Sequence, residues 1–136
     1  MTAKNIRPIL AVIAFTFFCS VSFSQGKNNN AIIGVWKGES ICQIKSSPCH
    51  DEIVVYHISK TQEPNTFQVI ANKVVNGKEE DMGVLQFTYD SLHQTFTNLD
   101  EKRNASWKFK IKGDTMDGTL MDKGELYRII HLKKEK

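Results

Sequence analysis

The chain has 136 residues, of which 40% are hydrophobic and 24% are charged, and its formal net charge is +3. Lys4 and Arg7 fall within the first 24 residues, so residues 25–136 carry 16 basic and 15 acidic side chains. This near balance gives no support to nucleic acid as a partner, and the length excludes a second core.

The first 24 residues have the layout of a secretory signal peptide. Two basic residues precede an apolar run at 9–18, and Ser22 and Ser24 suit cleavage before Gln25. The run is shorter than the roughly 20 residues that cross a bilayer. We therefore expect an exported, periplasmic or extracellular protein with no membrane span after cleavage, a flexible leader at 25–30 and a single domain at 31–136.

An alternative for this segment is lipid anchoring at Cys19. The bulky residues Phe17 and Phe18 stand where lipid-attachment signals have small residues, so cleavage before Gln25 fits the sequence better.

Eight short runs rich in β-branched and aromatic residues follow the leader, and no segment keeps a helical period. We place strands at 31–42, 52–59, 66–75, 82–90, 93–99, 105–111, 115–121 and 125–133. The connections are short and contain turn residues, such as Asn76-Gly77 for a type I′ turn. Parallel strands would need crossovers of about a dozen residues, so the sequence predicts an antiparallel meander.

Two cysteines flank the first connection. Cys42 ends the first strand and Cys49 stands just before the second. In an exported chain this pair predicts a disulfide, which would stabilise the domain by roughly 2 to 3 kcal/mol and hold the rim in one shape. A metal site that adds His50 is the alternative, but the spacing fits none of the familiar zinc sites. We expect neither a metal nor a cofactor.

Alternation of apolar and polar residues identifies the inner face of most strands. The inward sets are Phe67, Val69 and Ala71; Leu85, Phe87 and Tyr89; Trp107, Phe109 and Ile111; and Met116, Gly118 and Leu120. The second strand is ambiguous, because two sets of apolar residues compete for the inner face: Ile53, Val55 and His57 against Val54, Tyr56 and Ile58.

An eight-stranded meander has two open edges unless its first and last strands pair. Closure removes both edges, so we predict an all-β, eight-stranded up-and-down barrel. A β-sandwich is the alternative, but its usual Greek-key topology needs a long connection that the sequence lacks.

Gly34-x-Trp36 on the first strand, seven further strands and Arg128 on the last strand resemble the calycin superfamily of lipocalins and their relatives. In that family a first-strand Trp packs across the closed end of the barrel and a last-strand Arg lies over its ring. The resemblance therefore implies that Gly34, Trp36 and Arg128 plug one end, where a guanidinium on an indole contributes about 0.5 to 2 kcal/mol. The chain lacks the helix that usually follows the barrel.

The opposite end would then hold a pocket for a small apolar or aromatic ligand. The candidate pocket residues are small ones that leave volume, aromatic ones that form walls and one polar group: Gly38, Ser40, Phe67, Phe87, Tyr89, Trp107 and His57.

Two other functions compete with ligand binding. A filled barrel would be a protein-interaction module, and strands with two apolar faces, such as 53–58, favour this or a homodimer. An enzyme would bring His50, His57, His93 or His131 beside a carboxylate in a cleft. The sequence does not cluster these groups, so it does not favour an enzyme.

Overall fold

The computed structural model describes residues 29–46 and 48–136. The predicted signal peptide, the Cys19 alternative and most of the leader lie outside the described residues. A 3-10 turn at Asn29–Ile32 precedes eight strands. Their bounds are β1 Gly34–Cys42, β2 Glu52–Lys60, β3 Thr66–Val75, β4 Lys78–Asp90, β5 Thr95–Asp100, β6 Ala105–Lys112, β7 Thr115–Asp122 and β8 Glu125–Lys134.

The eight strands form a closed antiparallel barrel in which each strand pairs with the next and β1 also pairs with β8. The predicted up-and-down barrel is therefore confirmed, and the β-sandwich alternative is wrong. Closure leaves neither terminal strand as a free edge. Among the described residues, no helix is long and apolar enough to cross a bilayer.

Strand bounds differ from the prediction where local turn geometry decides them. Asn76 and Gly77 have φ values of 51° and 76°, as a type I′ turn requires, so the strands on both sides continue to this tight turn. For this reason β4 begins at Lys78 and not at residue 82. In contrast, β1 begins at Gly34 because residues Asn29–Ile32 wind into the 3-10 turn.

The two ends of the barrel have different contents. We call the end that carries the 3-10 turn and the start of β1 the closed end, and the end that carries the 43–51 loop the disulfide end. Four phenylalanines pack together in the core, with ring centroids 4.6 to 6.0 Å apart: Phe67, Phe87, Phe96 and Phe109. All four are at most 1% exposed.

The inner face of β2 is settled by burial. Val54, Tyr56 and Ile58 belong to the core cluster, whereas Ile53 is 40% exposed. Val55, on the outer face, is also buried. The strand is therefore covered over part of both sides.

The wall of the barrel is incomplete between β4 and β5. These strands pair only from Thr88–Thr97 to Asp90–Thr95, at the closed end. Farther along, the two strands are joined by the Asn98 side-chain amide, whose Nδ2 donates to the Gln86 carbonyl oxygen at 2.6 Å. We call this opening, toward the disulfide end, the β4–β5 gap.

Candidate functional site

Trp36 closes one end of the barrel. Its side chain is fully buried, and its indole N–H donates to the Ile32 carbonyl of the 3-10 turn at 2.9 Å. The Lys134 ammonium lies 5.8 Å from the indole centroid and donates to the Ala31 carbonyl. Gly34 lies beside Lys134, where an added Cβ would come 3.0 Å from Lys134 Cε. The plug therefore consists of an indole, a backbone turn and a lysine.

Arg128 does not lie over Trp36, and this part of the predicted plug is wrong. β1 and β8 are antiparallel, so Trp36 pairs with Lys134, whereas Arg128 pairs with Cys42. Six residues of strand span about 20 Å, which places Arg128 at the disulfide end. Its side chain points inward as predicted, but it serves the other end of the barrel.

A cavity of about 330 Å³ lies inside the barrel toward the disulfide end. Its wall is mainly apolar and includes Val54, Ala71, Leu85, Trp107, Leu120 and Ile130. Residues from both sides of the β4–β5 gap, Met82–Leu85 and Asp100, also line it. The cavity therefore extends from the aromatic core to the opening in the wall.

Arg128 forms the polar end of this cavity. It is only 8% exposed, and its Nη1 donates to the Ser40 carbonyl at 3.1 Å, the Ser40 hydroxyl at 3.2 Å and the His50 carbonyl at 3.0 Å. Its Nη2 lies 3.6 Å from Glu52 Oε2. A buried cation is costly unless it is paired and hydrogen-bonded, and these contacts provide both.

The disulfide holds the loop that supplies one of these contacts. Cys42 and Cys49 are bonded, with their Cα atoms 6.0 Å apart, which confirms the predicted bridge. The backbone N–H of Cys42 donates to Asp51 Oδ1 at 2.9 Å, and that of Gln43 donates to the Tyr127 carbonyl. The disulfide therefore fixes the loop that holds the His50 carbonyl against Arg128.

Tyr56 adds a neutral phenol to the wall of the same cavity. The residue is 4% exposed, and desolvation raises the pKa of its phenol well above the usual range, opposed by the nearby Arg128 charge. No hydrogen bond of this hydroxyl is found within the described part of the chain. The phenol is therefore protonated at any physiological pH and has a donor and an acceptor available at the cavity wall.

The structure places only some of the predicted pocket residues at the cavity. Ser40 and Trp107 line the cavity. Phe67 and Phe87 face inward, but they are part of the aromatic packing outside the cavity. Tyr89 lies at the closed end, where it pairs with Phe96 across β4 and β5.

Gly38 and His57 also lie away from the cavity. A Cβ on Gly38 would meet backbone atoms of His131 and Leu132, so this glycine allows β1 and β8 to approach and does not create pocket volume. His57 alternates with the inward residues Tyr56 and Ile58 and therefore faces outward, where its Nε2 lies 2.7 Å from Glu79 Oε2. Its predicted place in the pocket is wrong.

Other histidines pair with carboxylates outside the cavity. His93 Nδ1 lies 2.6 Å from Asp90, and His131 Nδ1 lies 2.7 Å from Asp117. The hydrogen bond from His93 lowers the pKa of Asp90. All four side chains are about half exposed or more, and none lines the cavity. Within the described ranges, no group of three or more His, Cys, Asp or Glu residues is placed to hold a metal.

Several cavity residues were not identified from the sequence. Tyr56 and Val54 belonged to one of the two competing faces of β2, and Ala71 and Leu120 to predicted inward sets. Alternation does not show where a residue lies along the barrel axis, so the sequence did not assign these residues to the cavity. Glu52 and Arg103 were not assigned to the pocket, but both stand at the disulfide end, where strand direction would have placed them.

No protein-family model and no curated protein matches the sequence. Among solved structures, a point mutant of the fluorescent protein UnaG is similar in fold, with a TM-score of 0.51 at 10% identity. The match covers 79% of this chain and 98% of that one. The siderocalin Ex-FABP, described as functioning through dual ligand specificities, matches with a TM-score of 0.42 at 10% identity over 78% of this chain and 71% of its own. The protein has a calycin-like barrel fold.

Proposed function

We propose that this protein is an exported binding protein that holds a small apolar or aromatic ligand inside its barrel. The observation that carries the proposal is the cavity of about 330 Å³ at the disulfide end. Small-molecule sites are concave, mostly apolar and occupy roughly 300 to 1,000 Å³. This cavity is at the lower end of that range, so its ligand is small.

The wall of the cavity supports an aromatic or branched apolar ligand body. Trp107 and Tyr56 contribute ring surfaces, and the small side chain of Ala71, which pairs with Tyr56, takes up little of the cavity. The β4–β5 gap provides a route to this space, because residues on both of its sides line the cavity. A ligand can therefore reach the site without unfolding of the aromatic core.

Export is supported by the disulfide, since such bonds persist in oxidising compartments. Together with the predicted signal peptide, this favours the periplasm or the extracellular medium. Lipid anchoring at Cys19 remains the alternative form of the same exported protein.

A protein-interaction module is the second candidate, and exposed apolar side chains favour it. Ile70, Met82, Val84 and Leu99 are between 38% and 67% exposed and lie on the strands around the β4–β5 gap. A homodimer formed through this surface is one version of the candidate. The cavity is not explained by it, so ligand binding is the better-supported function.

Phenylnaphthylamine, a neutral aromatic dye that fluoresces in apolar surroundings, tests the proposal. We expect the oxidised mature protein to bind it. Ala71→Leu places a larger side chain in the cavity and should weaken binding by about tenfold or more. Ile70→Leu is the matched control, because Ile70 is the adjacent residue and faces outward.

Native mass spectrometry of the same protein reports subunit number and any retained small molecule. A retained molecule that is lost in Ala71→Leu supports the proposal. A dimer that retains no molecule and binds no dye contradicts it and favours the interaction module. Equal dye affinity in Ala71→Leu and Ile70→Leu places the dye outside the cavity and also contradicts it.

A further inference from the structure

The charged side chains at the cavity neutralise one another. In the described chain, four charged residues line it: Glu52, Asp100, Arg103 and Arg128. Arg128 Nη2 lies 3.6 Å from Glu52, and Arg103 Nε lies 3.6 Å from Asp100. Two cations thus face two carboxylates, and the cavity carries no net charge for an ionic ligand to balance.

Arg128 can offer an incoming anion its Nη2 donor, but Glu52 stands beside that donor. Its Nη1 donates to two backbone carbonyls and the Ser40 hydroxyl, and its Cζ lies 5.4 Å from the centroid of the Tyr127 ring. A ligand carboxylate near Nη2 would also stand beside Glu52. Two carboxylates in one partly buried site repel each other, and burial of the ligand charge adds a desolvation cost.

Tyr56 and Glu52 together suit a different ligand group. The Tyr56 hydroxyl donates and accepts, and the Glu52 carboxylate accepts. Both residues belong to β2, where residues four apart share a face, and both line the cavity. A hydroxyl or a primary amide offers both a donor and an acceptor and brings no charge. Pairing with it would satisfy the Tyr56 hydroxyl, which has no protein partner within the described residues.

We infer that the cavity selects ligands that join an apolar body to an uncharged hydrogen-bonding group, such as a hydroxyl or an amide, over otherwise equal ligands that bear a carboxylate. This inference rests on the proposed function and names the chemical class of its ligand. Glu52 is the residue that determines the preference, because it cancels the charge of Arg128. Tyr56 is the group that receives the ligand's polar end.

Competition against phenylnaphthylamine with decanoate, decanamide and decanol tests this inference, since the three compounds share one chain and differ in the head group. Near neutral pH, decanamide and decanol should displace the dye at concentrations about tenfold lower than decanoate. Decanoate that displaces the dye as well as decanamide does would overturn the inference. Absence of dye binding altogether would instead overturn the proposed function.

Glu52→Gln tests the role of the carboxylate. It removes the charge that cancels Arg128, so decanoate affinity should rise by about tenfold while decanamide affinity changes little. Glu39→Gln is the control, because Glu39 is exposed on β1, outside the cavity lining, and the substitution makes the same change in net charge. An equal gain in decanoate affinity in both variants would show a general charge effect and overturn the assignment of Glu52.

Tyr56→Phe is a second variant that keeps the buried ring and its edge contact with Phe109. It should weaken decanamide by several-fold and decanoate less, because Glu52 repels the carboxylate from the polar end of the cavity. Equal weakening of both ligands would show that the substitution affects the cavity as a whole and would count against the role of the hydroxyl. Circular dichroism confirms that each variant is folded.

Discussion

The seam between β1 and β8 permits a direct test of barrel closure through Gly38. A Cβ built on this residue overlaps the His131 carbonyl oxygen and lies 2.8 Å from its carbonyl carbon and 2.9 Å from Leu132 Cα. All of these are backbone atoms, so no side-chain rotation relieves the overlap. Since carbon atoms pack at about 3.5 to 4 Å, Gly38→Ala requires the two strands to separate by roughly 1 Å.

The expected cost follows from this displacement. Overpacking of a well-packed site costs about 1 to 3 kcal/mol, and each ladder hydrogen bond weakened at the seam adds up to about 1 kcal/mol. We expect Gly38→Ala to lower the free energy of unfolding by about 3 kcal/mol. Gly38→Leu should then prevent closure and not merely fill the pocket.

Urea unfolding followed by tryptophan fluorescence measures this loss. Gly77→Ala is the control, because a Cβ built on Gly77 has no neighbouring atom within 4 Å. This substitution costs only the strain of a non-glycine residue at a φ of +76°, about 1 to 2 kcal/mol. A loss in Gly38→Ala no greater than that in Gly77→Ala would refute the reasoning, since it would show that the seam absorbs a side chain without strain.

Three further predictions concern the Trp36 plug, the Cys42–Cys49 disulfide and the exposed pair of His93 and Asp90. Trp36→Ala should cost about 3 to 5 kcal/mol in urea unfolding, because it removes a fully buried aromatic side chain; a loss below about 1 kcal/mol would contradict the plug. Replacement of Cys42 and Cys49 by serine should lower the free energy of unfolding by roughly 2 to 3 kcal/mol and the melting temperature with it, and an unchanged melt would contradict a stabilising bridge. The hydrogen bond from His93 lowers the pKa of Asp90 from its ordinary value of 3.8, so its stabilisation is present above that pH and is lost as the pH falls through the lowered pKa. His93→Ala should raise the pKa of Asp90 in an NMR titration, and an unaltered pKa would show that the bond is not formed in solution.

The fold was predictable because its signals are local. Alternation identified the inner face of most strands, and Asn76-Gly77 specified a turn that only a tight antiparallel hairpin uses. Closure followed from the need to remove two open edges. The start of β1 was misplaced because the 3-10 turn at Asn29–Ile32 has no periodicity long enough to reveal it.

The site was predicted less well because alternation gives the face of a residue and not its depth in the barrel. Phe67 and Arg128 both face inward, yet they lie toward opposite ends. Strand direction would have separated them: the start of β1 must meet the end of β8, so Trp36 pairs near Lys134. The preference of indole for a cation was correctly identified, but the cation was assigned to the wrong position on the strand.

The bulge in β4 had no comparable signal. Met82 is the extra residue between Asp81 and Gly83, opposite Ala71 and Asn72 of β3. The Asp81 side chain accepts from the Gly83 N–H at 2.6 Å, and Gly83 has a φ of 131°. This combination redirects the strand beside the β4–β5 gap. It depends on how β3 and β5 meet β4, which no short stretch of sequence specifies.

Arg128 links the stability of the domain to the proposed binding site. The disulfide fixes the loop that holds the His50 carbonyl, and that carbonyl orients the guanidinium against Ser40 and Glu52. The polar end of the cavity is therefore ordered before a ligand arrives, and binding need not supply the entropy of arranging it. Loss of the bridge would release the loop, so ligand affinity should depend on the same bond that stabilises the domain. In the described residues the aromatic packing at the closed end makes no such contact, so loss of the bridge should affect the proposed site more than the packing of the four phenylalanines.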